Sequence, residues 1–125
     1  MMNQTSTPTV IYKLLSRNEW REAKAAGVYV GSADDLRDGF IHFSTAEQVK
    51  ATFAKYFSKR AEILLAEISV DALTAAHLKW EPSRGGDLFP HLYSDLALKA
   101  VTGIWSVAES PNDPPKWPDH IAGLA

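Results

Sequence analysis

Seven consecutive residues, Gly39-Phe40-Ile41-His42-Phe43-Ser44-Thr45, constrain this 125-residue chain more than any other stretch. They read as a short buried strand that stops at a helix start. Alternation puts Phe40 and His42 on one face and Ile41 and Phe43 on the other. His42 is the one side chain of the seven able to titrate near neutral pH. Ser44 is expected to cap the helix that follows, with Glu47 at the reciprocal position; Thr45 and Gln48 offer the same pairing one residue later. Val49, Phe53, Tyr56 and Phe57 then fall on one helical stripe, so that helix is expected to pack on a sheet or core.

Earlier in the chain, Met1–Pro8 is expected to be a flexible polar lead-in. Thr9–Leu15 is rich in β-branched and aromatic residues and predicts a first strand. Ser16 with Glu19 forms a capping box for a helix that Gly27 ends. Val28–Val30 suits a short strand, and Ser32–Leu36 a single helical turn inside a polar loop. Later, Glu62–Ser69 predicts a central strand, and His77–Glu81 alternates with Leu78 and Trp80 inward. Phe89–Tyr93 is expected at a sheet edge or in irregular chain, because Pro90 cannot donate to a ladder. Ala100–Ala108 predicts a last strand. The tail, residues 110–125, carries four prolines between Ser110 and Pro118 and is expected to be extended there, with Trp117 able to pin it to the body. Helices early and strands late argue an α+β domain over residues 9–109 with a mixed or antiparallel sheet.

The composition limits the functional classes. With 46% hydrophobic and 22% charged residues, the chain suits one globular domain that folds without a metal or disulfide. It contains no cysteine, which excludes thiolate metal sites and cysteine nucleophiles and suits a cytoplasmic protein. A formal charge of −2 gives no general attraction to DNA or to acidic membranes. No apolar run reaches the length of a membrane span.

The chemistry-bearing residues fall in two stretches, and a small-molecule ligand between them is the expected partner. His42 can bind a ligand hydroxyl or move a proton. Ser44 and Thr45, at a helix start, suit an anionic group. In the second stretch, Trp80–Tyr93, Glu81 can act as a base or a clamp on sugar hydroxyls. Arg84 suits phosphate, and Gly85-Gly86 permits close backbone approach. His91 and Tyr93 share a face if the segment is extended. His42, Glu81, His91 and Tyr93 are therefore the candidate catalytic set, and Ser44, Thr45, Arg84, Gly85 and Gly86 the candidate ligand-binding set. No short ligand spacing of the His-x-His or His-Glu-x-x-His kind is present, so no metal is expected. The bland alternative is a binding or interaction domain whose polar residues only hold loops together.

Ile11-Tyr12-Lys13, Trp20, Gly31-Ser32, Asp38–Thr45, Gln48-Val49, Trp80-Glu81 and Phe89–Tyr93 together resemble an uncharacterised bacterial family, domain of unknown function 952. The resemblance runs from about Thr9 to Ala108. It implies a fold like that of the ADP-ribosyltransferases, with small sheets and two main helices around a cleft. In that superfamily a strand histidine or arginine holds a ribose of NAD, an aromatic stacks on nicotinamide, and a late glutamate orients the ribose hydroxyl. His42 matches the first of these. Glu81 precedes Tyr93, the reverse of the usual order. The resemblance thus implies NAD or a related nucleotide as ligand. It also implies transfer or hydrolysis at a glycosidic carbon as the enzymatic option, with Glu81 stabilising the oxocarbenium ion.

Overall fold

The computed structural model describes residues 8–124; all of the expected lead-in but Pro8 lies outside them. Among the described residues the architecture is α+β, built from three small antiparallel sheets and four α-helices. The central sheet has the order β1 (Val10–Ser16), β4 (Ile63–Ser69), β8 (Val101–Ala108); the other two are β2 (Val28–Tyr29) with β7 (Leu96–Ala97), and β3 (Ile41–His42), β6 (Leu88–Leu92), β5 (Leu78–Pro82).

β4 is central because both of its faces are apolar. Leu64, Ala66 and Ile68 enter one core cluster with Ile11, Leu15, Ile41, Phe43 and Leu92. Ile63 and Leu65 enter a second with Tyr12, Leu14, Val49, Phe53 and Val107. A strand covered on both sides reads as a continuous apolar run, and Ile63–Ile68 does so apart from Glu67. Glu67 is accommodated by hydrogen bonds from the Tyr12 hydroxyl at 2.8 Å and the Thr102 hydroxyl at 2.7 Å.

The helices start and stop where local chemistry dictates. α1 (Arg17–Ala26) has the Ser16–Glu19 capping box and ends on Gly27 at φ +82°. α2 (Ala33–Asp38) is longer than the single turn expected. A second capping box, Ser32 with Asp35, opens it. α3 (Val49–Tyr56) corrects the expected start at Ser44. Ser44 is buried, its hydroxyl hydrogen-bonds Thr52, and its backbone pairs with Tyr12 through bonds of 2.8 and 2.9 Å. The reciprocal pairing is made by Thr45 and Gln48, at 3.0 and 3.2 Å, around the turn before α3. Of the expected stripe, Val49 and Phe53 are buried and Phe57 is half-buried, whereas Tyr56 is 56% exposed.

The other correction concerns Pro90, expected at an edge. β6 is the middle strand of its sheet. Pro90 sits where its neighbour β3 ends: the Phe43 N–H donates to the Pro90 carbonyl at 3.0 Å, and no return bond can form. The proline terminates the β3 ladder without interrupting the pairing of β6 with β5, in which it lies opposite Trp80. The tail runs without regular structure from Pro114 to Pro118 and then forms a short helix, α4 (Asp119–Ala122). Trp117 packs edge-on to Phe53 at 5.6 Å, as its position suggested.

Candidate functional site

The site is built on a cross-strand pair. His42 on β3 lies directly opposite His91 on β6. Their ring centroids are 5.4 Å apart in an edge-on arrangement. Each ring is fixed through the same nitrogen by a carboxylate.

For His42 the carboxylate is Asp35. Its Oδ1 accepts from His42 Nδ1 at 2.6 Å and from the His42 backbone N–H at 3.1 Å. Its Oδ2 accepts from the Ser32 N–H at 2.8 Å, the return arm of the α2 capping box. Lys13, reaching across from β1, lies 3.1 and 2.9 Å from the two carboxylate oxygens and donates to the His42 carbonyl at 2.8 Å. Asp35 and Lys13 are 2% and 7% exposed, so this is an ion pair inside the protein. Burial alone would raise the Asp35 carboxyl. The His42 hydrogen bond, the Lys13 charge and the Ser32 N–H outweigh it and hold that carboxyl well below the usual carboxylate range. Burial pushes the Lys13 ammonium down, and Asp35 offsets part of that effect. Gly31 makes the close packing possible: at φ +112°, a Cβ there would lie 2.7 Å from the Asp35 Cβ.

For His91 the carboxylate is Glu81, on the neighbouring strand β5. Glu81 Oε1 lies 2.8 Å from His91 Nδ1 and accepts from the Tyr93 hydroxyl at 2.7 Å. The Tyr93 and His91 hydrogen bonds lower the Glu81 carboxyl, and Glu81 in turn raises the Tyr93 phenol. Phe40 backs the group. Its ring stacks on His91 at 4.2 Å and meets His42 at 4.6 Å and Tyr93 at 5.1 Å.

Both histidines line one cleft of about 380 Å³, within the range of small-molecule sites. Lys13, Asp35, Asp38, Ser44 and Phe89 line it too, and Arg37, Tyr56, Phe57 and Arg60 lie along the α2 and α3 sides. Asp38 reaches His42 Nε2 at 3.0 Å and also accepts from Arg37 Nε at 3.1 Å. The Arg37 contact draws the Asp38 carboxyl down. Among the described residues, no group of three or more His, Asp or Glu side chains is placed to hold a metal ion.

The two stretches singled out from sequence do meet, but not as one wall of the cleft. His42, His91 and Ser44 line it. Glu81 touches His91 from the side and does not line it, and Tyr93 lines a second, smaller hollow of about 220 Å³ beyond Phe40. Thr45 is occupied with Gln48. Gly85 and Gly86 have positive φ, shape an exposed turn, and do not line the cleft. The Arg84 side chain lies outside what the structure describes. Sequence reasoning missed Asp35, Lys13, Asp38 and Phe40. The spacing Ser32-x-x-Asp35 was the available signal for Asp35, because it is a capping box with aspartate in the place of glutamate. Lys13 carried none: it sits on an otherwise apolar strand, and only the fold reveals its partner.

Comparison with known proteins identifies the family. A model of one family, described as "Protein of unknown function (DUF952)", matches residues 14–104. The chain belongs to the DUF952 family. The resemblance drawn from the motifs is thereby sustained at the level of the family. Among solved structures, the crystal structure of protein CC0527 from Caulobacter crescentus is 46% identical, with a TM-score of 0.83 over 91% of this chain and 99% of that one. The solution NMR structure of CC0527 gives a TM-score of 0.76 at the same identity, over 90% and 97%. No curated protein matches the chain. No helix among the described residues is long and apolar enough to cross a membrane.

Proposed function

We propose that this DUF952 protein binds a nucleotide- or sugar-phosphate-like small molecule in the cleft beside His42 and His91. The observation that carries the reading is the histidine pair itself. Two imidazoles on adjacent strands, each oriented at Nδ1 by a carboxylate, line a cavity of ligand size. Pure packing does not require that arrangement twice. Arg60, which lies over the Phe57 ring at 4.8 Å along the same cleft, supplies charge suited to phosphate, and Tyr56, 56% exposed, supplies a ring suited to a flat ligand.

The same features favour an ADP-ribosyltransferase-like architecture and NAD or a related nucleotide as ligand. Small antiparallel sheets meet at a cleft, and a strand histidine faces it. Glycosyl transfer through Glu81 is less well supported, because that carboxylate is held between His91 and Tyr93 and does not line the cleft. One observation favours the competing, purely structural reading: the buried Lys13–Asp35 pair ties β1, α2 and β3 together whether or not a ligand binds.

A thermal-shift screen against NAD, ADP-ribose, mononucleotides and 2′-phosphorylated RNA ends separates the readings. A ligand at 100 times its dissociation constant stabilises the folded protein by about 2.7 kcal/mol. The expected result is a shift with at least one of these ligands that His42→Ala abolishes. A flat response to all four classes rejects the nucleotide reading.

A further inference from the structure

The two histidines are not equivalent. His42 has a carboxylate at each ring nitrogen, Asp35 Oδ1 at 2.6 Å from Nδ1 and Asp38 Oδ2 at 3.0 Å from Nε2. A carboxylate accepts and does not donate, so both contacts are satisfied only when both nitrogens carry hydrogen. His91 has one carboxylate, Glu81 at Nδ1, and its Nε2 has no hydrogen-bond partner among the described residues. With Nδ1–H donated to Glu81, Nε2 keeps its lone pair. One ring is arranged to give a proton and its neighbour to take one, in the same cleft, 5.4 Å apart.

What this pair can act on follows from what the cleft lacks. Among the described residues, the carboxylates at the cavity are already engaged: Asp35 is buried behind His42, Asp38 is held by His42 and Arg37, and Asp34 is held by Arg37 at 2.8 Å, while Glu81 does not line the cavity. The Ser44 hydroxyl, buried, is bonded to Thr52. A hydroxyl of the ligand itself is the nucleophile that needs no second molecule in the cleft. Arg60 lines the same cavity and suits the charge of a phosphodiester, whereas Arg37 is tied to Asp34 and Asp38. Phe40 packs on both imidazoles from outside the cavity, so the rings present their edges to a ligand.

Resting on the nucleotide-type reading above, we infer that the cleft catalyses internal phosphoryl transfer in a ribonucleotide phosphodiester. His91 Nε2 takes the proton of the 2′-hydroxyl. The 2′-oxygen attacks the adjacent phosphorus, forming the new O–P bond of a 2′,3′-cyclic phosphate. The P–O bond to the next nucleoside breaks, and its departing 5′-oxygen takes the proton from His42 Nε2. One bond forms, one breaks, and one proton moves at each end, with no co-reactant. Asp38, which is partly exposed at the end of α2, gives up its place at His42 Nε2 to the departing oxygen. Glu81 is a positioning residue that holds the proton of His91 on Nδ1.

The test is incubation of the dinucleotide uridylyl-3′,5′-adenosine with the wild-type chain and with His42→Gln and His91→Gln, followed by chromatography. The expected result is 2′,3′-cyclic UMP and adenosine from the wild type, no reaction of the 2′-deoxy analogue, and a loss of roughly 100-fold or more in each variant. Absence of product, or cleavage by the variants at the wild-type rate, overturns the inference. His91 is buried in a strand; if its variant fails to melt cooperatively, His42→Gln, at a partly exposed position, decides alone. A surviving thermal shift with NAD or mononucleotides beside an unreacted dinucleotide leaves the binding reading standing and removes only this one.

Discussion

Asp35 is the residue on which the site depends, because one carboxylate serves three neighbours. It closes the α2 capping box, neutralises Lys13 and orients His42. Asp35→Asn leaves the Lys13 charge buried without its counter-ion, a class of change that costs about 3–5 kcal/mol. The expected outcome is a drop of that size in urea-unfolding stability. The pH dependence follows from the depressed carboxyl. In the unfolded chain Asp35 titrates near its ordinary value of about 3.9, whereas in the fold it titrates well below the usual range. Between those two values the unfolded state binds the proton and the folded state does not, so stability rises with pH. The contribution is therefore complete above roughly pH 5 and is lost as pH falls through the window toward the folded value. Unfolding midpoints measured from acid to neutral pH are expected to show a shallower acid limb in Asp35→Asn than in the wild type. Part of the limb survives, since Glu67, Glu81 and Glu109 are also drawn down.

At the scale of elements, the segment from Gly31 to His42 makes the site, and Gly31 is its tightest point. An alanine there combines a left-handed backbone with a Cβ 2.7 Å from the Asp35 Cβ, an atom close to the main chain that cannot swing aside. Gly31→Ala is expected to destabilise by about 1–3 kcal/mol and to break the Asp35–His42 contact, read as a changed His42 imidazole signal in nitrogen-15 NMR. Much of this element was legible in advance. A short strand through His42, a helical turn at Ser32–Leu36, and the partnership of His42 with the His91 stretch were readable from spacing and alternation, though the strand ends at His42 rather than at Ser44. What was not legible depended on sheet order. Pro90 argued for an edge, yet β6 is central because β3 is two residues long and ends where Pro90 has no N–H to offer. Ser44 looked like a cap by its spacing to Glu47, but its backbone is taken by Tyr12, a partner 32 positions away. Lys13 was hidden for the same reason: an isolated cation on a strand acquires meaning only when α2 folds over it.

Over the whole molecule, the proline-bearing tail is a structural part of the site's support. Composition alone suggested an extended appendage. Ile121 is fully buried among Tyr12, Val49, Phe53 and Val107, and Trp117 packs against the same cluster. Lys50 on α3 donates to the carbonyls of Ala122 and Leu124 at 2.9 and 2.6 Å. His120 Nε2 lies 3.1 Å from the Tyr12 hydroxyl, which donates to Glu67. The tail thus bears on the α3 face of β1, while Lys13, one residue along, holds the site from the opposite face. The Tyr12 backbone in turn is hydrogen-bonded to Ser44, which ties β1 to the chain leaving His42. Ile121→Ala is expected to cost about 2–5 kcal/mol, the range for emptying a buried isoleucine site. A passive appendage predicts no such loss. The linkage makes a second, sharper demand. If the tail supports the site through β1, Ile121→Ala speeds amide hydrogen exchange at Tyr12 and Ser44 more than at Leu96, whose strand β2–β7 lies apart from that cluster. Equal acceleration at all three amides would mean that the tail contributes only to global stability and that the histidine pair is held by its own sheet.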